Sequence, residues 1–327
     1  MALGKVEVSL YVYDGTSGSF SSSDLKYSIS KDRITSHTGI TLEIAELVRD
    51  YLTVSFNNDY TCNTRWASVV VNYYDAGGSL FAYNNPQTFN YIALDGYGIF
   101  EDGVNPQLSD NALISTNNIY LPENTTGKFP IFAEGVGKVI IDSTTTEITD
   151  SGNSNQKIQY ITIPVNSSTF KIYDTDDHTL LKTVTIHNIC EPKYTPYKVT
   201  FVNKFGAFQD VYFFKKTVES FNVTDENYNR NIISTSASYN TYDNERQRYN
   251  LKSKTSLTLN TGFILEDATV TIEELFLSEN VWIRYNSKTL PIIPKSKNFE
   301  YKTSLNDKLI NYTVDFEFAF DKINNVR

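Results

Sequence analysis

The chain is poor in the residues that most active-site chemistry needs. It has three histidines, two cysteines and two tryptophans in 327 residues. His37, His178 and His187 fall in no HExxH pattern and beside no nucleophile motif, so neither a zinc-peptidase helix nor a catalytic triad is readable. Cys62 and Cys190 lie far apart, have no second ligand at metal spacing, and read as two separate thiols rather than a disulfide. Basic residues are in deficit, 29 against 38 acidic ones. The resulting net charge of -9 argues against direct nucleic-acid binding, because neutralising phosphate needs the opposite excess. Long hydrophobic runs are missing too. No segment approaches the roughly twenty apolar residues of a spanning helix, and the first residues carry no apolar leader. The expectation is a protein made and folded in a cytoplasm, without membrane insertion.

What the chain does have is aromatic and β-branched residues. Phe, Tyr and Trp make up 14% of it, with 23 Tyr and 20 Phe. Such residues favour pleated, half-buried surfaces and protein contacts. Asn, Ser and Thr between the apolar runs supply turn chemistry. Residues 200–214 read as two strands meeting at Gly206, and 311–320 as a closing strand with Tyr312, Val314, Phe316, Phe318 and Phe320 on one face. Near the start, Val6, Val8, Leu10 and Val12 alternate along a first strand that ends at the Asp14-Gly15 turn. The polar loop 15–23 has the composition of a segment that orders only when held, and a neighbouring molecule is the expected partner.

Helical spacing occurs twice. Ile40, Ile44, Leu47, Val48 and Tyr51 form a stripe that predicts a helix over 40–52, and Ile264, Ala268, Ile272, Leu275 and Phe276 predict another over 264–277. Short strands follow the first helix at 60–72, 79–83, 88–94, 114–120, 129–132, 139–141, 158–163, 169–173 and 180–186. Pro192 and Pro196 break any regular element, so the domain boundary is placed at residue 190. Beyond it come a short strand at 256–260 and further strands at 281–285, 291–294 and 299–302. The fold class expected is mainly β. Two β-sandwich or barrel-like domains, 1–190 and 191–327, each pack one amphipathic helix.

Two polar stretches interrupt this pattern. Residues 143–156 are dominated by Thr, Ser, Asn and Asp, and 225–249 contain four Tyr and five Asn. Both read as extended excursions, plausible arms toward a neighbouring subunit. Candidate chemical clusters have simpler structural readings. Asp174, Asp176, Asp177 and His178 have oxygen-ligand spacing but lack the glycine and terminal Glu of a calcium loop, and read as an acidic turn. Gly96-Tyr-Gly98 and Gly135-Val-Gly137 precede no helix, so no phosphate cradle is expected. The carboxylate pairs Asp225-Glu226 and Glu273-Glu274 suggest a glycosidase, but the second pair is expected on a solvated helix face. The sequons at Asn124, Asn166, Asn222 and Asn311 carry no weight without a secretory leader. No catalytic, cofactor-binding or metal residue is assigned.

Several segments carry a resemblance. They are Glu43-Ile-Ala-Glu-Leu-Val-Arg-Asp-Tyr-Leu52 with the turn Phe56-Asn-Asn-Asp-Tyr60, the stretch from Cys190 to Asp210, Leu257-Thr-Leu-Asn-Thr-Gly262, and Thr303 to Phe320. Together they resemble structural proteins of tailed phages infecting Bacteroidota, crAss-like phages included, most densely after Cys190. The resemblance implies a virion component without enzymatic activity, placed in the phage tail as a hub or ring subunit. Its implied partners are copies of itself and other tail proteins, and no cofactor is implied. The alternative is a host receptor- or glycan-binding tail protein, with aromatics near Trp66 and between Tyr228 and Tyr249 stacking on sugar rings.

Overall fold

In the computed structural model, strand β1 (Leu3–Tyr13) turns Val6, Val8, Leu10 and Val12 into a core and its odd-numbered residues to the other face. The structure describes residues 3–323 apart from 35, 83–84, 177 and 296–308. β1 pairs antiparallel with β2 (Leu25–Asp32) and β3 (Arg65–Asp75), and β3 pairs with β4 (Gln87–Ala93). The order is β2-β1-β3-β4. Ala67, Val69 and Val71 of β3 complete the buried face, which is covered by Ile40, Leu42, Ile44, Leu47, Val48 and Tyr51.

That cover is not the helix of 40–52 that the spacing predicts. Only α1 (Ala45–Arg49) is helical. Ile40, Leu42 and Ile44 approach the sheet two residues apart, an extended spacing, and the Glu43 carboxylate accepts the Ala45 amide at 2.9 Å where the turn begins.

Two further groups follow in chain order. β5 (Asn118–Pro122), β6 (Gly127–Phe132), β7 (Val136–Ile141), β8 (Thr144–Glu147), β9 (Ile158–Ile163), β10 (Thr169–Asp174) and β11 (Leu180–Ile189) form a sheet β5-β11-β10-β7-β8 and a pair β6-β9. Of the strand expected at 79–83, Leu80 makes a single bridge to Tyr74. A hairpin then joins β12 (Tyr197–Val202) to β13 (Phe208–Phe213).

The chain divides into two compact units. Unit 1 contains residues 1–190, 200–211 and 267–280, and unit 2 the remainder, with the division falling inside β12 and β13. Unit 2 includes β14 (Val218–Asn229), β15 (Arg246–Asn260) and β16 (Ile264–Leu265). α2 (Thr269–Leu277) is the longest helix among the described residues and belongs to unit 1. Of the helix expected over 264–277, the first residues instead form β16 and a 3-10 turn, Glu266–Ala268. β17 (Val281–Tyr285), β18 (Lys288–Pro294), β19 (Leu309–Ile310) and β20 (Thr313–Phe318) complete unit 2. The strand expected at 299–302 lies outside the described residues.

The protein is thus mainly β, built from several largely antiparallel sheets. No sheet among the described residues closes into a barrel. In unit 2 the order β17-β18-β20-β15-β14 stops at β14, which among the described residues pairs only with β15. Three carboxylates and no cation along β14 (Glu219, Asp225, Glu226) discourage another strand from closing the ring. The closing strand packs as its pattern predicts, with Tyr312, Val314, Phe316 and Phe318 buried, while Phe320 beyond it is exposed.

The polar loop 15–23 and the end of the stretch 143–156 hold each other within unit 1. The Ser17 amide donates to Asn153 O at 2.8 Å, Thr16 bridges Ser154, and the Gly18 amide donates to Tyr13 Oη at 2.7 Å. Phe20 packs 4.2 Å from Tyr11 between ring centroids. Asn155, buried, donates through Nδ2 to Thr64 O and Asp14 Oδ1. Lys157 is only 2% exposed, and its ammonium meets Asp150 (2.8 Å), Glu134 (3.0 Å) and Gly152 O (2.6 Å). Burial opposes its charge, but the two carboxylates outweigh that and raise its pKa.

The β12–β13 turn shows why its glycine is needed. Gly206 has φ +77°, and a Cβ there would lie 2.7 Å from Asp95 N. Across the contact, a Cβ on Gly96 would lie 2.5 Å from Lys204 O, which accepts the Tyr97 amide at 3.0 Å. Gly206→Ala should therefore cost at least about 1–3 kcal/mol in backbone strain alone. Thermal unfolding should show a lowered midpoint, whereas Gly39→Ala, with no atom within 4 Å of the new methyl, should leave it within about 1 °C of the parent.

Candidate assembly surface

The candidate catalytic groups of the sequence are scattered or already committed. His37 sits in the turn after β2, His178 in the β10–β11 turn and His187 on β11. His187 stacks on Tyr120 at 4.7 Å, its Nε2 lies 2.7 Å from Asn118 Oδ1, and burial lowers its pKa despite Asp267. Asn118 in turn donates to Asp267 at 2.5 Å. An amide between imidazole and carboxylate cannot relay a proton as a carboxylate would.

The acidic cluster is a turn, as its composition predicts. The Asp176 carboxylate accepts the Thr179 amide (2.8 Å), the Thr179 hydroxyl (2.7 Å) and the His178 amide (2.9 Å), which holds its pKa at about 2. Residue 177 lies outside the described residues. Among the described residues no group of three or more His, Cys, Asp or Glu is placed to hold a metal ion. Cys62 is half-buried beside Thr64, and Cys190 is exposed. Asn124 and Asn166 take left-handed turn conformations and bond to each other at 3.0 Å. Trp66 lies on β3, inside the strand expected at 60–72, and its indole N–H donates to Asn153 O at 3.0 Å.

The carboxylate pairs differ in environment. Asp225 is bound bidentately by Arg248 at 2.9 and 3.1 Å, and Glu226 accepts from Asn250 at 3.1 Å, so both are cross-strand partners. Glu274, expected on a solvated face, is instead 1% exposed. Its Oε1 accepts the Ser115 hydroxyl, and its Oε2 has no partner among the described residues. Burial raises its pKa against the opposing pull of Ser115 and Lys204, and also raises that of Tyr97, which lies 3.5 Å from Glu274 O. No local pattern signals this burial, because Ser115 and Lys204 are distant along the chain.

The exposed feature of the molecule is the β14–β15 ribbon. Its register runs from Val218 opposite Thr258 to Asn229 opposite Arg246. Among the described residues β20 pairs with β15 from Ser256 to Asn260 and the Lys322 amide donates to Ser253 O at 3.1 Å, so the ribbon beyond Ser253 stands on two strands. A bulge between Thr224 and Glu226, with Asn250 at φ +48°, bends the ribbon. Phe221, Val223, Tyr228, Ile233, Tyr239, Tyr242, Tyr249 and Leu251 are exposed along it, from 37% to 81%. Tyr228 and Tyr249 form an edge-to-face pair at 5.6 Å. Residues 225–252 carry four acidic groups (Asp225, Glu226, Asp243, Glu245) and four basic ones (Arg230, Arg246, Arg248, Lys252), a net charge of zero in a chain of -9. A lone two-stranded ribbon is marginal in water, and an apolar strip of this size on a neutral background marks a contact surface. The tyrosine-rich composition of 225–249 signals this surface in the sequence. Its full extent, back to Phe221, is visible only from the strand pairing.

Glu274 supplies a test of the buried cluster. A carboxyl whose folded pKa is raised loses stability as pH climbs from its unfolded value of 4.5 through the higher folded one. Urea midpoints should therefore fall for the parent between pH 5 and pH 8, beyond any change shared with the variant. Glu274→Gln should flatten that difference and gain on the order of 1 kcal/mol at pH 8.

No helix among the described residues is long and apolar enough to cross a membrane. No protein-family model matches the chain, and no curated protein matches its sequence.

Proposed function

We propose that this chain is a structural subunit of a virion tail, at the level of a hub or ring, which engages its neighbours through the β14–β15 ribbon. The observation that carries the assembly role is the ribbon's exposed apolar strip, which exceeds what a free two-stranded element needs. The virion placement rests on the resemblance of the segments around 43–60, 190–210, 257–262 and 303–320. Copies of this chain and other tail proteins are the partners in this reading, and catalysis has no part in it. A ring subunit needs a contact that docks side chains without attracting the wrong partner, and a ribbon of balanced charge provides that.

A second reading uses the same tip. Tyr239 and Tyr242 are highly exposed beside Asn240, and the hydroxyls of Ser234, Ser236 and Ser238 cluster within 2.9 Å of one another. Rings next to hydroxyl and amide groups are the chemistry of a sugar platform.

The triple variant Ile233→Ser, Tyr239→Ser, Tyr242→Ser separates these readings without touching a buried residue. On the assembly reading, light scattering and negative-stain images show a ring for the parent and a folded monomer for the variant. An unchanged ring in the variant would refute it. Loss of binding on a glycan array, with assembly intact, would favour the sugar platform.

A further inference from the structure

A second surface, in unit 1, carries its own partner in its sequence. β4 is the edge of the sheet β2-β1-β3-β4, and its outward backbone groups have no partner among the described residues. Edge strands are usually blunted by charge or proline. β2, at the opposite edge, carries Lys26, Lys31 and Asp32, and β14 carries three carboxylates. β4 reads Gln87-Thr-Phe-Asn-Tyr-Ile-Ala93 and has neither a charge nor a proline. It also leaves Phe89 and Tyr91 exposed at 41% and 52%.

The centre of the strand is symmetric in character, with an aromatic residue on each side of Asn90. A two-fold axis through Asn90 would set Phe89 opposite Tyr91 of a second copy, Thr88 opposite Ile92, and Gln87 opposite Ala93. Phe89 and Tyr91 lie opposite Val69 and Ala67 of β3, so they continue the sheet face whose interior is the unit's core. Two aromatic cross-strand pairs would form on that face, the arrangement most favourable between antiparallel strands. No like charges would meet. The register also tolerates either hydrogen-bond phase, since the axis passes through a residue.

We propose that β4 pairs antiparallel with β4 of a second copy of this chain about Asn90, joining two four-stranded sheets into one of eight. The contact is isologous, so it closes at two copies. One strand pair buries less than the roughly 1,200–2,000 Å² of a standard interface, so the dimer forms with rising concentration. The proposal does not rest on the virion reading or on the ribbon.

A cysteine pair reports the register directly. In a chain carrying Cys190→Ser, Asn90→Cys places two sulfurs across a strand pair whose Cα separation is about 4.5–5.5 Å, within disulfide range. Thr88→Cys places them about 14 Å apart along the strands. Under mild oxidation, N90C should give at least ten-fold more covalent dimer than T88C. Sedimentation of the ribbon triple variant, a monomer when dilute, should show a mass rising with concentration from that of one chain, near 37 kDa, toward twice that value, with Tyr91→Lys in the same background weakening the dimer at least ten-fold. The side chain of Tyr91 is exposed, so this variant should keep the parent's thermal midpoint. The ribbon triple variant should keep the N90C cross-link, which separates loss of this dimer from loss of the ring. Equal cross-linking at positions 90 and 88, or a ribbon triple variant that stays monomeric at several hundred micromolar, would overturn the proposal.

Discussion

Unit 1 depends on one side chain more than on any other, the buried amide of Asn203. Its Oδ1 accepts the Phe205 and Ala207 amides, both at 3.1 Å, and so shapes the turn between β12 and β13. Its Nδ2 donates to Leu113 O at 2.6 Å and to Gln209 Oε1 at 2.9 Å. The turn it shapes brings Gly206 against Asp95 and buries Ala207 with Leu113, Phe132 and Ile158. A buried amide with every bond made specifies a single packing, whereas a partly satisfied one would cost stability. Arg49, at the end of α1, adds a weaker tie among the same segments, reaching Glu279 at 2.9 Å and Asp95 at 3.5 Å.

The strands were legible because their signal is local. Alternation at Val6, Val8, Leu10 and Val12, and again from Tyr312 to Phe318, needs only one buried face to become a strand. The helices were less so. Ile40, Leu42 and Ile44 fit a period of two as well as part of a helical stripe, and α1 keeps only the residues around Leu47 and Val48. The burial of Glu274 was not legible at all, since a glutamate at the edge of an amphipathic stripe is ordinarily solvated and its partner Ser115 lies 159 residues away. The chain path between the units was equally hidden, because a proline-marked boundary says where a segment breaks and not which unit the later segments rejoin.

The two polar excursions show the limit of composition most clearly. Both 143–156 and 225–249 are rich in Asn, Ser and Thr, and both read as arms. The first folds back, because Asn155 and Lys157 find carbonyls and carboxylates within their own unit. The second extends, because its polar groups are satisfied across the ribbon, as in Asp225 with Arg248, which leaves its aromatic residues facing water. What separates them is where the hydrogen-bond partners lie, a property of the fold that no window of sequence contains.

The route of the backbone has a consequence for how the protein is made. Unit 1 is finished by residues 200–211 and 267–280, long after its first sheets have been synthesised. During translation Leu113, Phe132 and Ile158 stand without Ala207, and Ser115 stands without Glu274, until those later segments leave the ribosome. Folding of the first half is therefore tied to arrival of the second. A chain cut at the proline-marked boundary would expose an unfinished interior rather than release an independent half.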